Sequence, residues 1–526
     1  MKERFINYWT VRRIILLFIF LTGVFVRLIY IGTYPLGLNQ DEAAAGYDAF
    51  AILRYGIDRN GISYPVHFIS WGSGQNAAYS YLCMPFIALF GLSEFSIRLP
   101  MALMGCASIY VVYRISKNMF KGNMIIIVTA IFAICPWHIM KSRWALESNV
   151  FPDLILLFVW FITEYIKCGK KRWIYCGAVI LALSAYSYGT SYCFIPVFVV
   201  PVIVFMIKKK MCKITDVVGA AFLSLIIAFP MILFVIINTF DLEQISIGAV
   251  TIPKLYVSRH MEITSVFSGD FLSITKENLK QTLGILLKQE DGLYWNYIVY
   301  YGINYVFSLP FTIIGIVICL RPGKFKELFI NKRLCILLDA WFFGALVVSC
   351  VVDPNINRIN IIMIPLVLYS GIGVGFVIDR CYQVKWTIIA MYACFFVTFS
   401  INYFGEYQQG MKSCFYYTLA DAIKYTKELN KDVVYVSSQI NMPYIFTLFY
   451  DEENPYNFID TVEYYNRYSA FEMVESYGKY RFYIPDMNYV DEDENNAFIV
   501  ETDRVSDFDL SRYNIRVFSN YSVIYN

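Results

Sequence analysis

Of 526 residues, 58% are hydrophobic and only 16% are charged, whereas a soluble chain carries roughly a quarter charged residues. The net charge of +3 conceals a split: residues 404–526 hold 20 acidic and 10 basic side chains, which leaves 21 acidic and 34 basic ones in the rest. A basic, apolar body with an acidic tail argues against a soluble globule and against nucleic acid as a partner.

The chain opens with Lys2, Arg4, Arg12 and Arg13 ahead of an apolar run. This resembles a signal peptide, but the run is long and no small-residue cleavage site follows, so it reads as an uncleaved first span. Further spans are predicted over 98–116, 124–140, 149–166, 173–190, 193–208, 216–238, 299–320, 334–352, 359–378 and 386–403, with the first at 14–32. Each can cross a hydrocarbon core of about 30 Å, and none carries the polar face of a water-soluble helix. Trp9, Trp71, Trp137, Trp144, Trp173 and Trp386 sit near run ends, as interfacial aromatics do. With the N-terminus inside, inner segments hold 22 Lys and Arg residues, against Lys141, Arg143 and Arg358 in the short outer loops. That alternation holds at every turn and supports about eleven spans with a cytoplasmic N-terminus.

Three long segments then face outward: 33–97, 239–298, and everything from about 404. The last alternates a helical pattern over 415–429 with β-rich runs at 433–437, 480–484 and 516–520. This predicts a membrane body over 1–403 and an extracytoplasmic α/β domain over 404–526. Most of the 13 cysteines lie in apolar runs, and the tail has only Cys414, so it contains no internal disulfide. No C-x-x-C pair or His cluster points to a structural metal.

Charge is costly inside a membrane, so polar residues at the outer ends of spans are the first candidates for chemistry. They are Asp41 and Glu42, Lys141 and Arg143, Glu147, and Arg358. Asn39 as N-cap with Glu42 three residues on forms a capping box opening a helix from Gln40 to Tyr55, ended by Gly56. Capping accounts for Glu42 about as well as chemistry does. Asp41, at a position that needs no carboxylate, suits a general base, although a helix N-terminus is expected to lower its pKa.

In order along the chain come Arg27, Asp41-Glu42, Phe90-Gly91, Arg98-Leu99-Pro100, Pro136, Ser142-Arg143, Glu147, and Arg358 with Pro365. Each piece is weak alone, but their order on one topology resembles the GT-C glycosyltransferases that use polyprenyl-phosphate sugars. These are the protein O-mannosyltransferase and aminoarabinose-transferase group, glycosyltransferase family 39 and its relatives. The resemblance covers about 14–200 well and 300–380 more loosely. Two features depart from the pattern. Glu147 stands where Asp is usual, and Ser73-Gly74-Gln75-Asn76 replaces a Pro-Pro-Leu segment.

The resemblance implies a GT-C fold, mainly α and polytopic, in the plasma membrane of a bacterium. It implies an inverting glycosyltransferase that moves a sugar from a polyprenyl-phosphate carrier to an extracytoplasmic protein, glycan or lipid. Asp41 would be the base, with Glu42 and Glu147 as helpers and Glu147 in contact with substrate. Arg358 would hold the donor phosphate, with Arg143 and Lys141 behind it. No cofactor is required. Some members bind a divalent metal through such carboxylates, which here would be Asp41 and Glu147.

Plainer readings stand beside these. Arg358 could pair with Asp353, Lys141 and Arg143 could snorkel to headgroups, and Arg27 and Arg98 could tie helices together. His67, His138 and His260 are isolated in sequence. Two rivals come from other classes. A transporter or flippase would show ionisable residues or broken helices near mid-membrane. A non-catalytic assembly or sensor protein of cell-envelope polysaccharide synthesis would tolerate loss of both Asp41 and Arg358.

Overall fold

A computed structural model describes residues 2–257, 270–486 and 495–526, with backbone alone for 2–9. His260 lies outside the described residues. The predicted spans coincide with helices: α1 (Lys2–Leu28), α4 (Glu94–Met119), α5 (Met124–Ala133) continued by α6 (Pro136–Lys141), α7 (Glu147–Cys168), α8 (Lys171–Ser184), α9 (Ser191–Lys208) and α10 (Ile214–Thr239). After these come Leu309–Leu320, Cys335–Val351, Met363–Arg380 and Lys385–Phe404. Among the described residues, seven helices are long and apolar enough to cross a membrane. The third span breaks because Pro136 forces Cys135 out of helical geometry, to ψ 123. The eighth is shorter than predicted, since residues 299–305 are turns.

The outward faces of these helices are apolar. In α10 Phe222 is 66% exposed, and in the last span Ile401 is 70% exposed. A rim of large exposed apolar side chains around a bundle is what lipid tails cover. Met363–Arg380 runs through the centre instead, its apolar window 83% buried. The chain is a multi-pass membrane protein.

The segment after α1 folds as α2 (Gln40–Tyr55), a short hairpin of β1 (His67–Phe68) with β2 (Gln75–Asn76), and α3 (Ala78–Phe90). The start of α2 follows the sequence closely. Asn39 adopts φ −83 and ψ 151, its side chain accepts the Asp41 N–H at 2.9 Å, and Glu42 accepts the Asn39 N–H at 3.2 Å. Gly56 ends the helix at φ 77.

In the outer 239–298 segment, β3 (Ile245–Ile247) and β4 (Val250–Ile252) form a short antiparallel pair, and the C-terminal region forms a seven-stranded sheet. Its strands are β5 (Val433–Val436), β6 (Glu463–Tyr464), β7 (Val474–Tyr477), β8 (Tyr480–Arg481), β9 (Asn496–Glu501), β10 (Asn514–Val517) and β11 (Tyr521–Tyr525). Their order is β10-β11-β9-β5-β8-β7-β6, with β5 parallel to both neighbours and the other pairs antiparallel. The helix predicted over 415–429 spans only Leu419–Glu428, because Tyr416 and Thr418 take positive φ.

This sheet is fused to the membrane body rather than tethered to it. Ala43, Ala44 and Tyr47 of α2 share one apolar cluster with Ile445, Leu448 and Phe449 of the helix Pro443–Asp451 and with Val434, Ile499 and Val523 of the sheet. Small side chains on α2 let that helix lie close. Tyr47 donates to the Glu453 carbonyl at 2.8 Å, and Tyr450 donates to Glu94 at 2.7 Å. The helix that carries Asp41 is thus held on one side by α3 and α4 and on the other by the C-terminal region.

Candidate active site

Asp41 and Glu42 are neighbours with opposite fates. Glu42 is fully buried, and Arg98 grips both its oxygens, Nε to Oε1 and Nη2 to Oε2, each at 2.9 Å. The Ala145 N–H adds a further bond to Oε1 at 2.9 Å. With the cap bond from Asn39, its acceptor capacity is used, so the geometry makes it a pin between α2, α4 and the loop before α7. Asp41 is half-buried and faces Glu147, Trp71 and Arg59. Its pKa is raised to about 6: burial is the main cause, a hydrogen bond from Trp71 opposes it, Glu42's charge adds to it, and Arg59 opposes it. The expected lowering by the helix N-terminus is therefore outweighed by desolvation.

Glu147 opens α7 half-buried, its carboxylate accepting the Asn76 N–H of β2. Asn76 in turn accepts the Tyr192 hydroxyl at 3.1 Å. Next to Glu147, the Ser148 carbonyl accepts the Asn360 side-chain N–H at 2.8 Å, which brings the 352–360 loop against α7. Asp291 fixes that loop from the outer 239–298 segment by accepting the Ile356 N–H at 2.8 Å. Arg358 projects from it, about a third exposed, paired with Asp353. Tyr188, between α8 and α9, reports the convergence. Its hydroxyl pKa is pushed up by burial and by the charges of Glu147 and Asp41, and drawn down by Arg358. Stretches separated by hundreds of residues thus meet at one end of the bundle.

Lys141 and Arg143 are brought near but are committed elsewhere. Lys141 is buried, bonded to Asp153 at 2.7 Å and to the Asn149 carbonyl at 3.1 Å. Asp153 also meets His138 Nε2 at 3.2 Å and the Ser108 hydroxyl at 2.8 Å, while His138 Nδ1 meets Arg27 at 2.8 Å. Arg143 donates to the carbonyls of Val26, Arg27, Tyr30 and Tyr34, closing the open end of α1, and stacks on Phe404 at 4.9 Å. Neither side chain snorkels, and the geometry lends no support to a phosphate-binding role for either. Arg27 and Arg98 tie helices together, the plainer of their two readings. Among the described residues, no three His, Cys, Asp or Glu side chains gather to hold a metal ion. Asp41 and Glu147 have no third such ligand beside them among the described residues.

Sequence reasoning missed Trp71, Arg59 and Tyr188 as neighbours of the site. Only the unusual Ser73–Asn76 segment pointed there, since Asn76 proves to hold Glu147. It missed the Asp153 network as well, which rests on a buried carboxylate inside the apolar-looking helix α7.

Comparison with known proteins follows this geometry. Residues 77–234 match the family model described as dolichyl-phosphate-mannose-protein mannosyltransferase. That stretch includes Glu147 but ends short of both Asp41 and Arg358. The structure of ArnT from Cupriavidus metallidurans bound to undecaprenyl phosphate superposes with a TM-score of 0.58 at 12% identity, over 99% of this chain and 98% of that one. The chain shares the fold of that structure, ArnT, over nearly its whole length. The same ArnT in its apo state gives a TM-score of 0.55 at 11% identity, covering 98% of each chain. The Archaeoglobus fulgidus oligosaccharyltransferase tethered to an acceptor peptide gives 0.50 at 12% identity, over 84% of this chain and 63% of that one. Comparison with curated proteins returns no match. At these identities the superpositions establish the GT-C fold and leave residue roles to the geometry.

Proposed function

We propose that this chain transfers a sugar from a polyprenyl-phosphate carrier to an acceptor hydroxyl at the extracytoplasmic face of a bacterial plasma membrane, with inversion at the anomeric carbon. In this reading the N-terminus is cytoplasmic, residues 1–403 are the catalytic body, and residues 404–526 are an outer domain. One observation carries it: Asp41, Glu147 and Arg358 converge around Tyr188 at the end of an apolar helix bundle. A cavity of about 470 Å³ between α8, α9 and α10 is lined by Leu181, Tyr192, Ile195, Leu225, Met231 and Ile236. Tyr192 joins it to Asn76 and Glu147, so an isoprenoid chain would lie in apolar surroundings with its phosphate at the charged end.

The acceptor oxygen forms a bond to C1 from the face opposite the phosphate as its O–H proton passes to Asp41. The C1–O bond to phosphate breaks, its electron pair leaving with polyprenyl phosphate. A carboxylate with a pKa of about 6 is matched to this task near neutral pH. Arg358 offsets the charge growing on the leaving phosphate, exchanging its bond to Asp353 for one to the donor. Glu147, fixed by Asn76, borders the sugar subsite, and Glu42 positions Asp41 by fixing the start of α2.

The test uses purified full-length chain in vesicles, a panel of polyprenyl-phosphate-linked hexoses and pentoses, and the producing cell's envelope as acceptor. Release of polyprenyl phosphate with sugar appearing in the envelope fraction is the expected result for one donor. Turnover of none, or full turnover by Asp41→Asn, overturns the reading.

A further inference from the structure

Trp71 occupies a conformation that its own side chain resists. Its φ is +57, in the left-handed region, where a bulky residue costs on the order of 1–3 kcal/mol and persists only if its surroundings impose it. Two sets of contacts impose it here. From the membrane body, the Arg59 guanidinium lies over the indole at 4.8 Å. Arg59 is itself buried, 3.4 Å from Asp48 and bonded to the Ser70 hydroxyl. From the C-terminal region, the Glu472 N–H donates to the Trp71 carbonyl at 3.0 Å, and Tyr444 meets the indole edge-on at 6.0 Å. The next residue, Gly72, runs so close to this region that an added Cβ would stand 2.0 Å from the Ser469 carbonyl oxygen.

The indole so held lies against Asp41, whose pKa it helps to hold down. Asp41 and Asp48 are two turns apart on α2 and share a face. Trp71 and Arg59 therefore bridge α2 from the candidate base to a buried anchor, and the C-terminal region presses that bridge into place. We propose that Trp71 is a positioning residue for Asp41, and that the C-terminal region takes part in the reaction by holding Trp71 in its left-handed conformation. This rests on the assignment of Asp41 as base. It gives the acidic C-terminal region a role in turnover that a mere cover over the site would lack.

A misplacement of about 1 Å at a reacting group costs on the order of a hundredfold in rate, so the device is worth testing on kcat. In vesicles, with the polyprenyl-phosphate sugar that the wild-type chain uses, Trp71→Phe keeps the ring stack and loses the N–H. Gly72→Ala leaves every side chain at Asp41 intact and pushes the Ser469 loop away. Both are expected to lower kcat about tenfold to a hundredfold while the donor KM stays within about twofold. Ile524→Ala, in the separate apolar cluster of Phe498, Val500 and Phe508, is expected to lower Tm with kcat unchanged. An unaltered kcat in Trp71→Phe overturns the positioning role, as does a raised KM at constant kcat, which would make Trp71 a substrate contact. A full kcat in Gly72→Ala, with Trp71→Phe impaired, overturns the part given to the C-terminal region. Asp41→Asn run alongside separates the two levels: its inactivity beside a normal Trp71→Phe sinks this inference alone, and its full activity sinks the assignment beneath it.

Discussion

Two clusters of charge lie close together at one end of the bundle, built from the same kinds of residue. In the inner one, Arg27, His138, Asp153 and Lys141 are buried, and each is bonded to the next. In the outer one, Asp41, Glu147 and Arg358 are each half-buried and hold few partners. The inner cluster has exchanged its reactivity for order: Lys141 pairs with Asp153, and Arg27 is held by the Gly23 and Ala133 carbonyls and by His138. The outer cluster keeps spare hydrogen-bonding capacity at one end of the bundle. Charge at a span end is therefore a poor guide to function until its partners are known, and unmet capacity is a better one.

The sharpest way to break this contrast is to neutralise one member of each cluster. Asp41→Asn is expected to lower kcat by about a hundredfold to ten-thousandfold, as loss of a general base does, while Tm is held or raised because a costly buried charge is removed. Arg358→Gln should lower kcat by about a hundredfold or more through the leaving phosphate, again with Tm held, since its partner Asp353 is exposed and such pairs contribute little. Lys141→Met should do the reverse. It strands Asp153 in the interior, at a cost of about 3–5 kcal/mol, read as a fall in Tm, with the donor KM of the surviving folded protein unchanged. Glu42→Gln, one residue from Asp41, should resemble Lys141→Met rather than Asp41→Asn. A normal Tm for Lys141→Met joined to a raised donor KM would restore Lys141 to the phosphate site.

Hydropathy located the long apolar helices, because the membrane acts on each segment separately and leaves its mark on local composition. The opening of α2 was legible for the same reason: a capping box is a contact between residues three apart. Which of two adjacent carboxylates is spent on holding the fold was half-legible, since capping accounted for Glu42 and left Asp41 without a structural duty. Lys141 and Arg143 were not legible. Their partners are Asp153, on the next helix, and the carbonyls that end α1, and no local pattern announces pairings across 12 and 116 residues. Trp71 was read as an interfacial aromatic by its neighbours in sequence; only the fold sets it beside Asp41.

A smaller effect tests the half-buried state of Asp41 directly. Burial, with Glu42's charge, raises its pKa to about 6 against the pull of Trp71 and Arg59. A base acts when unprotonated, so the rate should be flat above neutrality and fall about tenfold per pH unit below 6. Stability should move the other way over the same interval. A carboxyl whose pKa is higher in the fold than in the unfolded chain binds its proton more tightly when folded. Its contribution to stability is then full below an unfolded value of about 3.9 and is lost as pH rises through about 6. Between those values the enzyme should lose rate while Asp41 adds to Tm, a pairing that general acid unfolding cannot produce. Subtracting the Tm profile of Asp41→Asn from that of the wild type isolates this one group, and a difference that stays level across the interval would mean that Asp41 is ionised throughout and more open to water than its surroundings imply.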